Sequence, residues 1–141
     1  MSYLDTKQAL MTQLAGATIP NVTNADIAIE NEPFDPTGKA LWLSAHFIPA
    51  TTESTGKTLA SGDEQRGIFQ ISVFVKLFGG SYDNVQLSTI DSILSAFQYS
   101  TSVVYNGQTV DILEATVNNG SENESWFKRD ISINYLTFSE R

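Results

Sequence analysis

Apolar side chains recur at two spacings along the chain, and each spacing predicts a type of secondary structure. From Tyr3 to Ala15, and again in the segment ending at Phe97, they recur every three or four positions, which is typical of a helix with one buried face. The residues that define these two apolar stripes are Tyr3, Leu4, Leu10, Met11 and Leu14 in the first helix, and Leu87, Ile90, Leu94 and Phe97 in the second.

Other segments alternate polar and apolar residues or are rich in β-forming residues, and we predict them to be strands. These segments are Asp26 to Glu30, Ala40 to Ile48, Arg66 to Leu77, Ser102 to Tyr105, Thr109 to Ile112 and Trp126 to Phe138. Asn106-Gly107 separates two of them and is a strong signal for a two-residue hairpin turn, because both residues tolerate positive φ. The segment from Arg66 to Leu77 carries the longest apolar face, so we expect it at the centre of a sheet.

The predicted elements follow the order helix, strands, helix, strands, without a series of βαβ units. We therefore predict an α+β fold with a mostly antiparallel sheet of five or six strands and two helices packed on one face. A length of 141 residues is typical of one domain, so we expect residues 1–141 to form a single unit.

The segment from Ala50 to Gln65 interrupts the apolar pattern, because Leu59 is its only large apolar residue. Thr, Ser, Gly and charged residues dominate it, and such a segment cannot bury itself in a core. We predict a long mobile loop at about residues 50–65, which acts as an arm that contacts another protein. The predicted contact residues are Glu53, Lys57, Leu59, Asp63, Glu64 and Arg66.

Charge and composition exclude several classes of function. Eight Lys and Arg against sixteen Asp and Glu give a net charge of −8, which opposes tight binding to a nucleic-acid backbone. The chain has no cysteine, which excludes disulfides, thiol nucleophiles and thiolate metal sites. Apolar runs are far shorter than the roughly 20 residues of a membrane span, and the N-terminus lacks the pattern of a secretion signal. We therefore expect no membrane partner and synthesis in the cytoplasm.

No group of residues predicts catalysis, cofactor binding or a metal site. His46 is the only histidine, and the acids between residues 30 and 35 match no calcium-binding loop. Asp63-Glu64 adjoins the predicted loop instead of a rigid pocket wall, so surface charge explains it better than acid–base catalysis. Trp42 and Trp126 lie on predicted strands and are interpreted as core or interface residues rather than ligand platforms. We therefore predict that the protein is not an enzyme.

Three stretches of the sequence resemble the tail terminator family of long-tailed bacteriophages. The first stretch resembles the opening of that family and comprises Glu30 to Pro36 followed by Ala40 to Pro49. The second resembles its central strand and following helix and comprises Arg66 to Val75, Gly79-Gly80 and the helix to Phe97. The third, Trp126 to Tyr135, resembles its final strand. The resemblance spans nearly the whole chain, except for the polar segment from Asn118 to Ser125, which matches nothing in the family.

This resemblance implies a structural virion protein that forms a ring, expected to be a hexamer, on the end of the tail tube. The ring would end tube polymerisation and provide the surface that joins the head. The implied partners are other copies of the chain, the tail tube protein and a neck or head-completion protein, with DNA passing through the lumen without specific binding. The implied location is the head-proximal end of the tail, after synthesis in the host cytoplasm, and no cofactor is implied.

Two alternatives stay open on the sequence. A head–tail connector, neck or minor tail protein would share the size, acidity and lack of catalytic motifs. A small-molecule-binding or hydrolytic α+β domain would instead use His46 together with Asp63 or Glu64.

Overall fold

The structure is a computed structural model that describes residues 3–20, 22–57, 62–77 and 82–140. It contains two α-helices and seven strands, together with a short 3₁₀ helix at Asn24–Asp26. In chain order these elements are α1 (Tyr3–Gly16), β1 (Ile27–Ile29), β2 (Leu41–Ser54), β3 (Gly62–Lys76), α2 (Tyr82–Ala96), β4 (Ser102–Tyr105), β5 (Gln108–Val117), β6 (Ser121–Asn123) and β7 (Trp126–Glu140).

One sheet contains all seven strands. Its strand order is β1-β2-β3-β7-β5-β4, and β6 pairs with β7 outside this path. The β1–β2 pair is parallel, and every other strand pair that the structure describes is antiparallel. The predicted α+β class, the mostly antiparallel sheet and the central position of β3 are confirmed. The predicted five or six strands become seven, because the polar connection from Asn118 to Ser125 contains the short strand β6.

Both helices pack on one face of the sheet, which we call the helix face, and the opposite surface is the open face. Alternation places every second strand residue on the helix face. The largest side chains buried there are Leu10 and Leu14 of α1, Ile93 of α2, Phe97, and the strand residues Leu43, Phe69, Ile71, Ile112, Ile131, Ile133 and Tyr135. The prediction of two helices on one face is therefore confirmed.

The residues that the helices bury differ in part from the predicted apolar stripes. On α2 the buried residues are Gln86, Thr89, Ile90 and Ile93, whereas Leu87 is 39% exposed. Gln86 can be buried because its Nε2 donates to the carbonyl oxygens of Val73 at 2.8 Å and Phe127 at 3.1 Å. Its Oε1 accepts a 2.9 Å hydrogen bond from Arg129 Nε. A fully bonded amide at residue 86 is therefore buried, whereas the periodicity predicts that the neighbouring Leu87 is buried.

The predicted loop at residues 50–65 is wrong for most of its length. β2 continues past Pro49 to Ser54, and β3 already begins at Gly62, so both sides form a paired hairpin. Thr51 lies opposite Arg66, and Ser54 lies opposite Asp63. The composition correctly indicates that the segment is exposed. Its backbone groups are nevertheless hydrogen-bonded, because the extended part of β2 pairs with β3, and β3 pairs with β7. These strands therefore form without a buried apolar face.

Two irregularities interrupt the pairing at about the same level of the sheet. β2 shifts register between Pro49 and Thr51, and β5 shifts between Ile112 and Ala115. Between them Gly67 lies opposite both Pro49 and Tyr135. Bulges bend strands and increase twist, so the sheet curls at this level.

The β4–β5 hairpin confirms the predicted turn. Tyr105 pairs with Gln108, and the two residues between them, Asn106 and Gly107, have φ values of 50° and 81°. Positive φ at both central positions is the signature of a type I′ turn, and few residue pairs other than Asn-Gly tolerate it.

Gly67 is required because the Tyr135 hydroxyl lies where a side chain would begin. A Cβ at this position would lie 2.5 Å from Tyr135 Oη and 2.6 Å from the backbone oxygen of Ile48. Gly67→Ala should therefore lower the free energy of unfolding by about 1 to 3 kcal/mol, as measured by chemical denaturation.

Gly16→Ala is the matched control, since a Cβ at Gly16 meets nothing within 4 Å and should leave stability nearly unchanged. Equal stability of the two variants would contradict the crowding at Gly67.

Tyr135 predicts a loss of stability in alkaline solution. Burial, with a smaller contribution from nearby Tyr3, raises the pKa of Tyr135 from 10.0 to about 12. In the unfolded chain the phenol ionises near 10, whereas in the folded chain it resists ionisation up to about 12, so this contribution to stability is present below 10 and disappears as the pH rises to 12. Denaturation from pH 9 to 12 should show a decline for the wild type that Tyr135→Phe reduces. If the stability of the wild type and of Tyr135→Phe declined identically with pH, the proposed contribution of Tyr135 would be contradicted.

Candidate assembly surfaces

The predicted arm residues lie on the hairpin that β2 and β3 extend beyond the core. Glu53 lies directly opposite Glu64, and Asp63 lies opposite Ser54. Lys57 follows the end of β2 and is exposed, whereas Leu59 lies outside the described residues. The structure therefore brings the predicted acids and Arg66 together along one hairpin, which we call the arm, instead of around a pocket.

The end of the arm has more negative than positive charge. Arg66 Nε donates to Glu64 Oε1 at 2.7 Å, and this pair is partly exposed. Glu53 faces Glu64 across the strands, and like charges in this arrangement repel. Among the described residues Arg66 pairs with Glu64 and not with Glu53, which leaves an anionic surplus at Glu53.

Polar contacts hold the base of the arm to the rest of the molecule. Tyr3 Oη lies 3.2 Å from Thr52 Oγ1. On β7, next to the arm, Thr137 Oγ1 donates to the carbonyl oxygen of Thr109 at 2.6 Å, and Gln108 Nε2 donates to the carbonyl oxygen of Phe138 at 2.9 Å. Buried hydrogen bonds therefore replace apolar packing at this end of the helix face.

Aromatic residues cover the other end of the open face. Trp42 stacks on Phe74 with ring centroids 4.0 Å apart, and Trp126 meets Trp42 edge-on at 5.7 Å. Phe34 packs on Trp42 from the connection before β2, at 4.9 Å. The interpretation of both tryptophans as packing residues is therefore confirmed, since the stacking faces already contact protein rings.

The middle of the open face is polar but forms no catalytic arrangement. Ser72 Oγ donates a hydrogen bond directly to Asp130 Oδ1 at 2.6 Å. A Ser-His-Asp triad would instead have a histidine between the hydroxyl and the carboxylate. His46 lies opposite Gln70, and its buried Nδ1 has no hydrogen-bond partner among the described residues. Gln70 lies six positions after Glu64 on β3, which is about 20 Å along a strand. The structure therefore does not bring His46 together with Asp63 or Glu64.

The acids near residues 30–35 have structural partners. Glu30 Oε1 accepts the backbone N–H of Phe47 at 2.9 Å, which extends the pairing at the outer edge of β2 beyond β1. Asp35 accepts hydrogen bonds from Thr37, which lower the pKa of its carboxyl. Within residues 3–20, 22–57, 62–77 and 82–140, no three His, Asp or Glu side chains are placed to hold a metal ion.

A surface cleft of about 400 Å³ lies beside the connection that precedes β2. Asp26 and Lys39 line it and form an ion pair at 2.7 Å. The hydrogen bond from Lys39 lowers the pKa of Asp26, although partial burial opposes this effect. Since these charged groups already neutralise each other, the cleft offers no free ionic group from this pair to a ligand.

Exposed apolar residues form two patches at the arm end of the molecule, one on each face. The open-face patch consists of the exposed residues Ile48, Val104 and Phe138 together with the partly buried Leu136, which lies two residues before Phe138 on β7. The helix-side patch consists of Tyr3, Leu4 and Tyr105. Val104 is 64% exposed and Phe138 is 54% exposed, while Leu4 is 62% exposed and Tyr3 is 48% exposed. Apolar groups clustered on a surface in this way mark sites of protein–protein contact.

Comparison with known proteins identifies the family. A family model for the phage tail terminator protein matches residues 5–135. The chain belongs to that family. It is therefore a structural component of phage tails and of the virion, as the resemblance of its strands and helices implied.

Two solved structures share the fold of this terminator family member. One chain superposes with a TM-score of 0.72 at 20% identity, and covers 97% of this chain and 96% of its own length. The second belongs to a structure titled as the virion of a native gene transfer agent particle, with a TM-score of 0.60, 14% identity and coverage of 98% and 100%. A search of curated protein sequences found no match. In the described part of the terminator, no helix is both long and apolar enough to span a membrane.

Sequence reasoning did not find the two apolar patches of this terminator chain. Tyr3 and Leu4 continue the helical spacing of α1 and were therefore expected in its buried stripe, although both are largely exposed. Phe138 and Val104 lie on predicted strands, whose alternation does not show which positions the neighbouring elements cover. The one available signal is the lack of charge over residues 92–110, which include β4.

Proposed function

We propose that this protein forms a ring, expected to be a hexamer, on the last ring of the tail tube. There it ends tube polymerisation and presents its other side to a neck or head-completion protein. Membership of the tail terminator family, matched over residues 5–135, is the observation that carries this proposal. The likeness to a chain of a gene transfer agent virion agrees with it at the level of the fold.

Surface features support assembly into a closed ring. Ring closure requires a heterologous contact, in which each subunit offers two different surfaces. The open-face and helix-side patches are two such surfaces, and the arm adds a third contact for the tube protein. The charge of −8 per chain is repeated in every subunit, so a lumen lined by part of it would repel DNA and let it pass without specific binding.

Tube length is the direct measurement of this function. A phage that lacks the protein should produce tails longer than normal and variable in length, with heads unattached, because nothing stops the addition of tube protein. Electron microscopy of lysates, with and without the wild-type protein supplied in trans, measures the length distribution. Tails of normal length with unattached heads would instead indicate a connector or neck protein, and attached tails of normal length would exclude both roles.

The arm is expected to contact the tube. Replacing residues 54–63 by Asn-Gly closes the hairpin after the pair Glu53–Glu64 and retains the contact of Thr52 with Tyr3. This variant should fold and self-associate but lose most of its binding to purified tail tubes in a co-sedimentation assay. Substituting Ser88→Ala on the exposed side of α2 is a control that should leave tube binding intact. If the variant with the shortened hairpin bound tubes as well as the wild type does, the arm would be excluded as the contact with the tube.

A further inference from the structure

The two apolar patches differ in shape and in charge. The helix-side patch projects from the start of α1, with Lys7 one turn beyond Tyr3. Lys7 forms no ion pair with any residue in the described part of the chain. The open-face patch lies on the sheet, and Phe138 is directly opposite Glu64, which in turn is opposite Glu53. An unpaired cation thus borders one patch, and an anionic surplus borders the other.

The outer edge of the sheet also lacks the protection that exposed strands usually have. β4 is the last strand in the order, and among the strands that the structure describes it pairs only with β5. Proteins commonly protect such an edge with Lys, Pro or a bulge, but Ser102–Tyr105 contains no charged residue, no proline and no bulge. The other outer edge, in contrast, carries Glu30 bonded to Phe47 and the bulge after Pro49. The β4 edge with Val104 is therefore a surface that assembly would cover.

We infer that neighbouring copies of this chain meet through a heterologous contact between these two patches. Tyr3, Leu4 and Tyr105 of one copy pack on Ile48, Val104, Leu136 and Phe138 of the next, and Lys7 of the first approaches Glu53 of the second. The inference rests on the proposed ring and names its subunit interface. A second copy is the occupant that fits, because both patches offer apolar surface to bury and the charges that border them are opposite in sign.

A mixing experiment tests the two surfaces separately. Leu4→Asp damages the helix-side patch, and Val104→Asp damages the open-face patch. Each variant alone should be monomeric by native mass spectrometry, because every possible contact in it contains one damaged patch. An equimolar mixture should form dimers and nothing larger, since one intact contact remains and cannot propagate. If like patches paired instead, one of the two variants would dimerise with itself before mixing, and that result would overturn the inference.

Charge reversal at the borders of the two patches provides a second, milder test. Lys7→Glu or Glu53→Lys alone should weaken self-association by about fivefold, and the double variant should restore it, since the opposite charges then meet again. Circular dichroism should show that all these variants are folded. Absence of restoration in the double variant would exclude the contact between Lys7 and Glu53.

Leu87→Asp is the matched control, because Leu87 is an exposed apolar residue on α2 outside both patches. It should leave the wild-type assembly unchanged. Rings that persist in Leu4→Asp and Val104→Asp would overturn this interface and leave the proposed function standing. Wild-type protein that stays monomeric with purified tubes present would overturn the interface, and unaltered tube lengths in its absence would overturn the proposed function itself.

Discussion

The pairing of β3 with β7 forms the longest uninterrupted ladder of the sheet, and the other elements are built around it. It runs without a register shift from Gly62 opposite Glu140 to Lys76 opposite Trp126. β2 pairs with the outer side of β3, and β5 pairs with the outer side of β7. The same two strands provide much of the core under the helices, and Gln86 and Arg129 tie α2 to them. Continuous pairing between two long strands therefore organises both the core and the arm.

This arrangement leaves one face of the sheet without a second layer. A sheet with apolar residues on both faces needs cover on both, and here the helices cover only one. Packing of Phe34, Trp42, Phe74 and Trp126 closes one end of the open face with aromatic rings. Polar residues occupy the middle, and apolar residues reappear at the arm end. Apolar side chains are therefore covered at one end of the open face and exposed to solvent at the arm end. Exposed apolar surface of this kind is typical of a subunit of an assembly.

Charge sets the conditions under which such subunits can meet. Copies that each carry −8 repel one another, so contact is most favourable where surfaces are neutral or of opposite sign. Residues 92–110 are free of charged side chains, and β4 lies within them. Exposed ion pairs contribute little stability, so the charges at the rims of the patches matter more for orientation and choice of partner than for affinity.

Local periodicity and turn chemistry were enough to predict the fold class, both helices, the Asn106-Gly107 turn and the central strand. The composition of the sequence also marked the acidic segment around Glu53 and Glu64 as exposed. Contacts between distant segments make this segment a hairpin, bury Gln86 and leave Tyr3 and Leu4 exposed. The physical reason is that burial and backbone pairing depend on which distant segments cover a residue, and a repeating pattern along one segment contains no information about its neighbours.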